Sequence, residues 1–192
     1  MFEVFETYLL QKGTFTPEEM DAIRAVSRIR KLRRGAFLLQ EGEVWRYNAF
    51  ICAGLLRRYR VDEKGVEHII QFTPENWWAG DRQSLMSGQL ATDNIDAIED
   101  SVVLLIGKED FDGLLRQIPV LSEVINLILQ RSLNASQERI HAAISYTAEE
   151  KYQDFNRRFP DLAGRIPQFM LASYLGITPE TLSRVRRQAM GR

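Results

Sequence analysis

The chain has 192 residues and a net charge of −1, with 45% hydrophobic and 27% charged residues, which is ordinary for a globular protein. It has no apolar run long enough for a transmembrane helix, and no basic segment precedes the apolar residues of its start, MFEVFETYLL. We therefore expect a cytoplasmic protein with no membrane association. The single cysteine, Cys52, excludes an internal disulfide framework and a thiolate-rich metal site.

Residues 1–30 are predicted to be helical. Thr16 and Pro17 have the features of a helix start, with Thr16 as N-cap and Pro17 at the first helical position. Ile23 and Val26 then fall on one face of the predicted helix.

Residues 31–107 change to a β-type pattern. Glycines at positions 35, 42, 54, 65 and 80 separate short apolar runs, and glycine permits turns with positive φ. This spacing predicts an all-β barrel or roll with a hairpin tip at 62–65. The predicted strands are Ala36–Leu39, Ala49–Ile51, Leu55–Val61, His68–Phe72 and Val102–Ile106.

Residues 119–146 are predicted to form one long helix that begins at Pro119. One apolar stripe holds Leu121, Ile125, Ile128, Ser132 and Ala135, and a second holds Val124, Leu127 and Arg131. Two stripes indicate two partners, the β domain and a second copy of the chain. The alternative is a helix buried within its own domain.

A further helix follows a break at residues 145–147. Thr147 and Glu150 have capping-box spacing, and the helix is predicted to end at Pro160. Its predicted core stripe is Tyr152, Phe155 and Phe159.

Residues 166–190 carry the decisive motif, a short helix, a glycine turn and a second helix. Pro167 starts the first helix, Gly176 makes the turn, and Thr178 caps the second helix. The apolar residues of the first helix are Met170, Leu171, Tyr174 and Leu175, with the small Ala172 allowing a close crossing. The second helix has Leu182, Val185 and Ala189 on its inner face and Glu180, Ser183, Arg184 and Arg187 on its outer face. This pattern is typical of a helix-turn-helix that binds double-stranded DNA.

The charge distribution favours the same partner. Five arginines and one glutamate between positions 165 and 192 give this segment a charge of +4, so the rest of the chain carries −5. An acidic body with a basic end is expected of a nucleic-acid-binding protein, although a solvated helix end would also be basic. Arginine can hold guanine and glutamate can accept from cytosine. The side chains suited to phosphate contacts are Thr178, Thr181, Ser183, Arg186 and Arg187.

From about Leu32 to Arg187 the chain resembles the Crp/Fnr family of bacterial regulators. The resemblance is carried by the glycine ladder and by YLGITPETLSRVRR at Tyr174–Arg187. It implies an α+β fold with a cyclic-nucleotide-binding-like β-roll (jelly roll) sensor over 1–118, a dimerisation helix over 119–146 and a helix-turn-helix domain over 147–192. It also implies a homodimer that binds palindromic operators, with Glu180 and Arg184 contacting bases and RNA polymerase as a further partner.

Two departures from the family concern DNA binding. Pro179 stands where well-known relatives have an arginine, so one contact to DNA is missing. The sequence reaches only Arg192 after the second helix, so we expect a helix-turn-helix that lacks an evident wing and depends more on the dimer and on phosphate contacts.

A third departure concerns the nucleotide cassette. Gly80 and Asp81 match its Gly-Glu start, but Ala91 and Thr92 stand where the family has Arg-Ser. Alanine cannot pair with a cyclic phosphate, so cyclic AMP binding is predicted to be weak or absent. A purely structural roll and a site for a small acidic ligand both remain open at this point. The residues that would form such a site are Gly80, Asp81, Arg82, Ala91 and Thr92, with Ser136 and Gln137 from the long helix.

Other sensor types and functions find little support. An iron–sulfur cluster needs several cysteines, and His68 and His141 have no haem-type pattern around them, so no haem or cluster is expected. Trp77 and Trp78 are predicted to pack in the core, with a role in lining the ligand pocket as the alternative. The chain shows no paired catalytic set and no phosphate loop with a lysine, so an enzyme is not expected. The alternative function is a ligand-sensing module that signals through protein contacts, which the basic outer face of the last helix disfavours.

Overall fold

The computed structural model describes residues 1–190, apart from the side chains of residues 189 and 190. The helices are α1 (Phe2–Leu10), α2 (Pro17–Val26), α3 (Arg82–Ser87), α4 (Lys108–Gln117), α5 (Pro119–Ser145), α6 (Ala148–Arg158), α7 (Gln168–Leu175) and α8 (Pro179–Met190). The strands are β1 (Ser27–Leu32), β2 (Phe37–Leu39), β3 (Tyr47–Ala53), β4 (Leu56–Val61), β5 (Glu67–Thr73), β6 (Trp78–Ala79), β7 (Asn94–Ala97) and β8 (Ser101–Gly107). None of the described helices is long and apolar enough to cross a membrane.

The chain divides into two compact units. The first contains Met1–Arg60 and Gln71–Leu129, and the second contains Val61–Ile70 together with the chain from Gln130 onward. The tip of the β4–β5 hairpin therefore groups with the C-terminal helices, which the sequence did not indicate.

Two four-stranded antiparallel sheets build the β-roll, in the orders β1-β8-β3-β6 and β2-β7-β4-β5. Alternate residues of β3 face opposite sides of its sheet, as the period of a strand requires. Ile51 lies in a cluster that fills the space between the sheets, together with Trp45, Leu56 and Ile95. Phe50 lies in the other cluster, where helices α1, α2, α4 and the start of α5 cover the sheet. The predicted mixed fold with a β-roll and a long helix is confirmed.

Gly80 shows why the roll needs glycine at one of the predicted turns. Its φ is +142°, and a Cβ at this position would come within 2.5 Å of the Trp45 indole nitrogen. Both the backbone conformation and the close approach exclude a larger residue here.

The prediction that residues 1–30 are helical is wrong at its end. Helix α2 begins at Thr16 and Pro17 as predicted, with the Thr16 hydroxyl accepting from the Glu19 amide at 3.2 Å. However, residues 27–32 pair with β8 as an edge strand, with Ser27 opposite Ile106. Four of the six residues of this strand are exposed, so its pattern lacks the alternation that identifies a strand in the sequence.

Candidate nucleic-acid interface

Helices α6, α7 and α8 form the small core that supports the interface. Thr147 caps α6 in the predicted capping box, accepting from the Glu150 amide while the Glu150 carboxylate accepts from the Thr147 amide. The buried side chains of this core include the predicted Tyr152, Phe155, Leu171, Leu175, Leu182 and Val185. The prediction for Ala189 falls on a side chain outside the described part of the chain.

The turn between α7 and α8 has the predicted glycine geometry. Gly176 adopts φ +66° and ends α7, and the amide of Ile177 donates to the Ala172 carbonyl at 3.1 Å. Ala172 is almost completely buried, as expected where two helices cross closely. The turn therefore fixes the angle at which α8 leaves α7.

The first turn of α8 is held by its cap. The Thr178 hydroxyl accepts from the Thr181 amide at 3.2 Å, and Pro179 occupies the first helical position. Glu180 is exposed, and hydrogen bonds from its own backbone amide and then from the Thr178 hydroxyl hold the pKa of its carboxyl below the ordinary value. The side chain is therefore an ionised acceptor at neutral pH, which is the form that can accept from a cytosine amino group.

The outer face of α8 is polar and open. Glu180, Ser183, Arg184 and Arg187 are all exposed, whereas Leu182 and Val185 point into the core. Arg186 is partly buried and Thr181 likewise. In the part of the chain that the structure describes, no hydrogen bond or ion pair engages Arg184 or Arg187, so both guanidinium groups are available to a partner.

Sequence reasoning missed Gln168, the first residue of α7. It lines an open depression of about 240 Å³ together with Ser183, Arg186 and Arg187. A donor at the start of α7 beside two arginines of α8 suits a phosphate oxygen. Its position directly after Pro167, which starts the helix, could have identified it in the sequence as a polar side chain at the start of α7.

The hairpin tip also contacts this helical core. Strand β5 lies at the edge of its sheet, and Ser173 of α7 forms hydrogen bonds with backbone groups of this edge strand. The Ser173 hydroxyl accepts from the Ile69 amide and donates to the Glu67 carbonyl, each at 3.0 Å. Arg139 of α5 donates to the Ile69 carbonyl at 3.3 Å, and its guanidinium lies 4.2 Å from the centre of the Tyr174 ring.

The comparisons with known proteins agree with this geometry. The family model "Cyclic nucleotide-binding domain" matches residues 29–118. The transcriptional activator protein anr of Pseudomonas aeruginosa is 28% identical over 184 residues, covering 90% of this chain and 75% of the relative. The fumarate and nitrate reduction regulatory protein of Vibrio cholerae is 27% identical and covers 90% of this chain and 73% of the relative.

Solved structures share this fold over most of the chain. FixK2 from Bradyrhizobium japonicum matches with a TM-score of 0.72 and 21% identity, covering 86% of this chain and 85% of that protein. The global regulator CLP from Xanthomonas campestris matches with a TM-score of 0.71 and 12% identity, covering 92% of each chain. Over most of its length the chain is therefore similar to bacterial regulators of the Crp/Fnr type. It is a DNA-binding transcription regulator.

Helix α5 differs in detail from the two stripes predicted. Val124, assigned to the second stripe, is buried in the same cluster as Leu121. From Leu127 onward a separate set of large apolar side chains is exposed, at Leu127, Leu133, Ile140 and Ile144. Of the predicted second stripe, only Leu127 is an exposed apolar side chain. Leu133, Ile140 and Ile144 are spaced by seven and four residues and form an exposed apolar face on a different side of the helix.

Most residues predicted for the nucleotide cassette contact other parts of the chain. Asp81 caps α3 through the Ser84 amide, and Ala91 is buried in the interior cluster. Thr92 accepts a hydrogen bond from Arg60, and Arg82 is exposed. On α5, Ser136 and Gln137 are exposed, with the Ser136 hydroxyl donating to the Ser132 carbonyl.

The histidines and tryptophans considered in the sequence make contacts with neighbouring side chains. His68 contacts Asp62 at 2.9 Å in the hairpin tip, and His141 packs against the ring of Tyr146. Trp78 packs against the helix-covered core, whereas Trp77 is 40% exposed, so core packing is confirmed only for Trp78. Among the described residues, no group of three or more His, Cys, Asp or Glu side chains is arranged to hold a metal ion.

Proposed function

We propose that two copies of the chain bind a palindromic operator, each placing α8 in the major groove. The observation that carries this proposal is the outer face of α8, where ionised Glu180 and Arg184 stand four residues apart, and Arg184 has no partner among the described residues. Residues at this spacing share one helical face. Such a protein acts in the cytoplasm, at promoters and beside RNA polymerase.

Side chains on the interface divide by the part of DNA that they suit. Glu180 and Arg184 lie in the N-terminal half of α8, which enters the groove in helix-turn-helix proteins, and are assigned to base edges. Arg187, with Gln168 at the start of α7, is assigned to phosphates and therefore to affinity.

The dimer contact is assigned to the exposed apolar face of α5. Leu133 and Ile140 are 61% and 59% exposed and are seven residues apart, the repeat of a coiled-coil seam. Pairing two such helices would remove these side chains from water. A two-fold axis along this contact relates the two α8 helices, which should meet half-sites about one DNA turn, roughly 34 Å, apart.

The test compares Arg184→Ala with Arg187→Ala on an operator selected from random DNA and on scrambled DNA, across a salt series. Each variant removes one exposed arginine from the same helix, so each controls for the charge removed in the other. Arg184→Ala should weaken operator binding by about 1–3 kcal/mol and relax the preference at one base pair per half-site. Arg187→Ala should weaken binding to both DNAs alike and reduce the salt slope by about one for each phosphate that the variant no longer neutralises.

An unchanged specific-to-nonspecific ratio for Arg184→Ala would show that Arg184 does not contact bases. A wild-type protein that fails to bind heparin or any DNA at low salt would instead favour signalling through protein contacts.

A further inference from the structure

Strand β4 carries two arginines on the face that begins at a core leucine. Leu56 of β4 lies in the cluster between the two sheets, and side chains two and four residues later share its face of the strand. These are Arg58 and Arg60. The same alternation places Asp93 on the face of Ile95, which also belongs to the interior cluster.

Asp93 is the point where these groups meet. Its side chain is 1% exposed, and each of its two oxygens is held by a different arginine. Arg58 donates to Oδ2 from Nε at 2.6 Å, and its Nη2 lies 2.5 Å from the same oxygen. Arg60 donates to Oδ1 from Nε at 2.8 Å, and its Nη2 lies at the same distance from that oxygen.

The rest of the cassette completes this arrangement. Arg58 also lies 3.8 Å from the Asp81 carboxylate and donates to the Gly80 carbonyl at 3.4 Å. The two arginines and the two aspartates sum to zero charge. A buried carboxylate needs such partners, because an isolated ion in the interior is strongly disfavoured.

Residues close to these ions in the chain belong to the apolar interior cluster. Trp45, Leu85 and Ala91 all belong to the cluster between the sheets, and Trp45 lies directly against Gly80. An acidic ligand entering here would meet two arginines already engaged and two carboxylates that repel it.

We propose that Asp93 is a built-in anion, which takes the place of an acidic effector by occupying Arg58 and Arg60 from within the chain. The roll is then ordered without a ligand in the cassette, and cyclic AMP does not switch the regulator. This inference concerns the regulation of the proposed operator binding, but it is tested on the DNA-free protein.

The experiment measures binding of inorganic phosphate and of cyclic AMP by calorimetry and by thermal unfolding, at constant ionic strength. The wild-type protein should show no site with a dissociation constant below about 1 mM. Asp93→Ala frees two guanidinium groups and should gain at least tenfold in affinity for either anion, because hydrogen bonds between charged groups are among the stronger ones.

Asp96→Ala is the matched control. Asp96 accepts from Arg57 through both oxygens, at 2.8 and 2.9 Å, on the same pair of strands. It lies one residue out of phase with Asp93 and Ile95, and therefore on the opposite face of β7. This variant also removes the carboxylate partner of a buried arginine but should gain no anion site in the cassette.

A wild-type protein that binds cyclic AMP in the micromolar range would overturn the proposal, as would equal anion affinity in Asp93→Ala and Asp96→Ala. If Asp93→Ala does not fold by circular dichroism, Asp93→Asn keeps the shape of the side chain without its charge. A folded Asp93→Asn protein with no gain in anion binding would contradict the proposal. A failure to bind DNA would not affect these outcomes, since no DNA is present.

Discussion

Replacing Ser173 by alanine should loosen the hairpin tip by a predictable amount. The hydroxyl accepts from the Ile69 amide and donates to the Glu67 carbonyl, and Ile69 is only 4% exposed. Leaving a buried amide without a partner costs about 1–3 kcal/mol. Alanine is otherwise well suited to the interior of α7, so helix propensity should not contribute to the loss of stability.

Hydrogen exchange of individual amides measures this effect directly. A loss of about 2 kcal/mol corresponds to roughly a 30-fold faster exchange of the Ile69 amide, since each 1.4 kcal/mol is a factor of ten. Ser87→Ala serves as the control because the Ser87 hydroxyl makes local bonds in an exposed part of the chain, donating to the Gln83 carbonyl and accepting from the Gln89 amide. The reasoning is refuted if Ser173→Ala and Ser87→Ala leave the exchange of Ile69 equally slow.

Two further changes test the dimer and one helix start. Leu133→Asp should convert the dimer to a monomer in sedimentation at micromolar concentration. Ala135→Glu changes an exposed position on the opposite side of α5 and should leave the dimer intact. Identical sedimentation of both variants would show that Leu133 does not lie in the interface. The backbone amide of Thr147, followed by its hydroxyl, holds the pKa of Glu150 below the ordinary value, so the stabilisation of α6 by this carboxylate is present above the unfolded-state pKa and is lost as the pH falls through the folded-state pKa. Denaturant unfolding of Glu150→Gln should therefore differ from that of the wild type at neutral pH and converge with it in acid, and a difference that persists in acid would contradict this assignment.

The sequence was most informative where local chemistry is strongest. The caps at Thr16, Thr147 and Thr178 and the turn at Gly176 all form as predicted, because each depends on residues within four positions of one another. The outer face of α8 follows from the same local periodicity. These features fix the helices of the interface and most of its exposed side chains.

Elements that depend on distant partners were missed. Strand β7 is short and pairs with β2 and β4, which both lie far earlier in the chain, so no local pattern identifies it. The pairing of Asp93 with Arg58 and Arg60 is hidden for the same reason. The alternation of arginines on β4 gave a signal, since two charges two residues apart on a strand face the same side.

The tip of the β4–β5 hairpin has a consequence for any attempt to isolate the sensor. Residues 61–70 belong to the same compact unit as the C-terminal helices, and the backbone of Ile69 forms hydrogen bonds with α5 and α7. A fragment cut after Leu129 would keep this hairpin but lack Arg139 and Ser173, so the backbone of Glu67 and Ile69 would become a bare strand edge. Bare edges recruit strands from other molecules, and we therefore expect such a fragment to self-associate through the hairpin even though its core is intact.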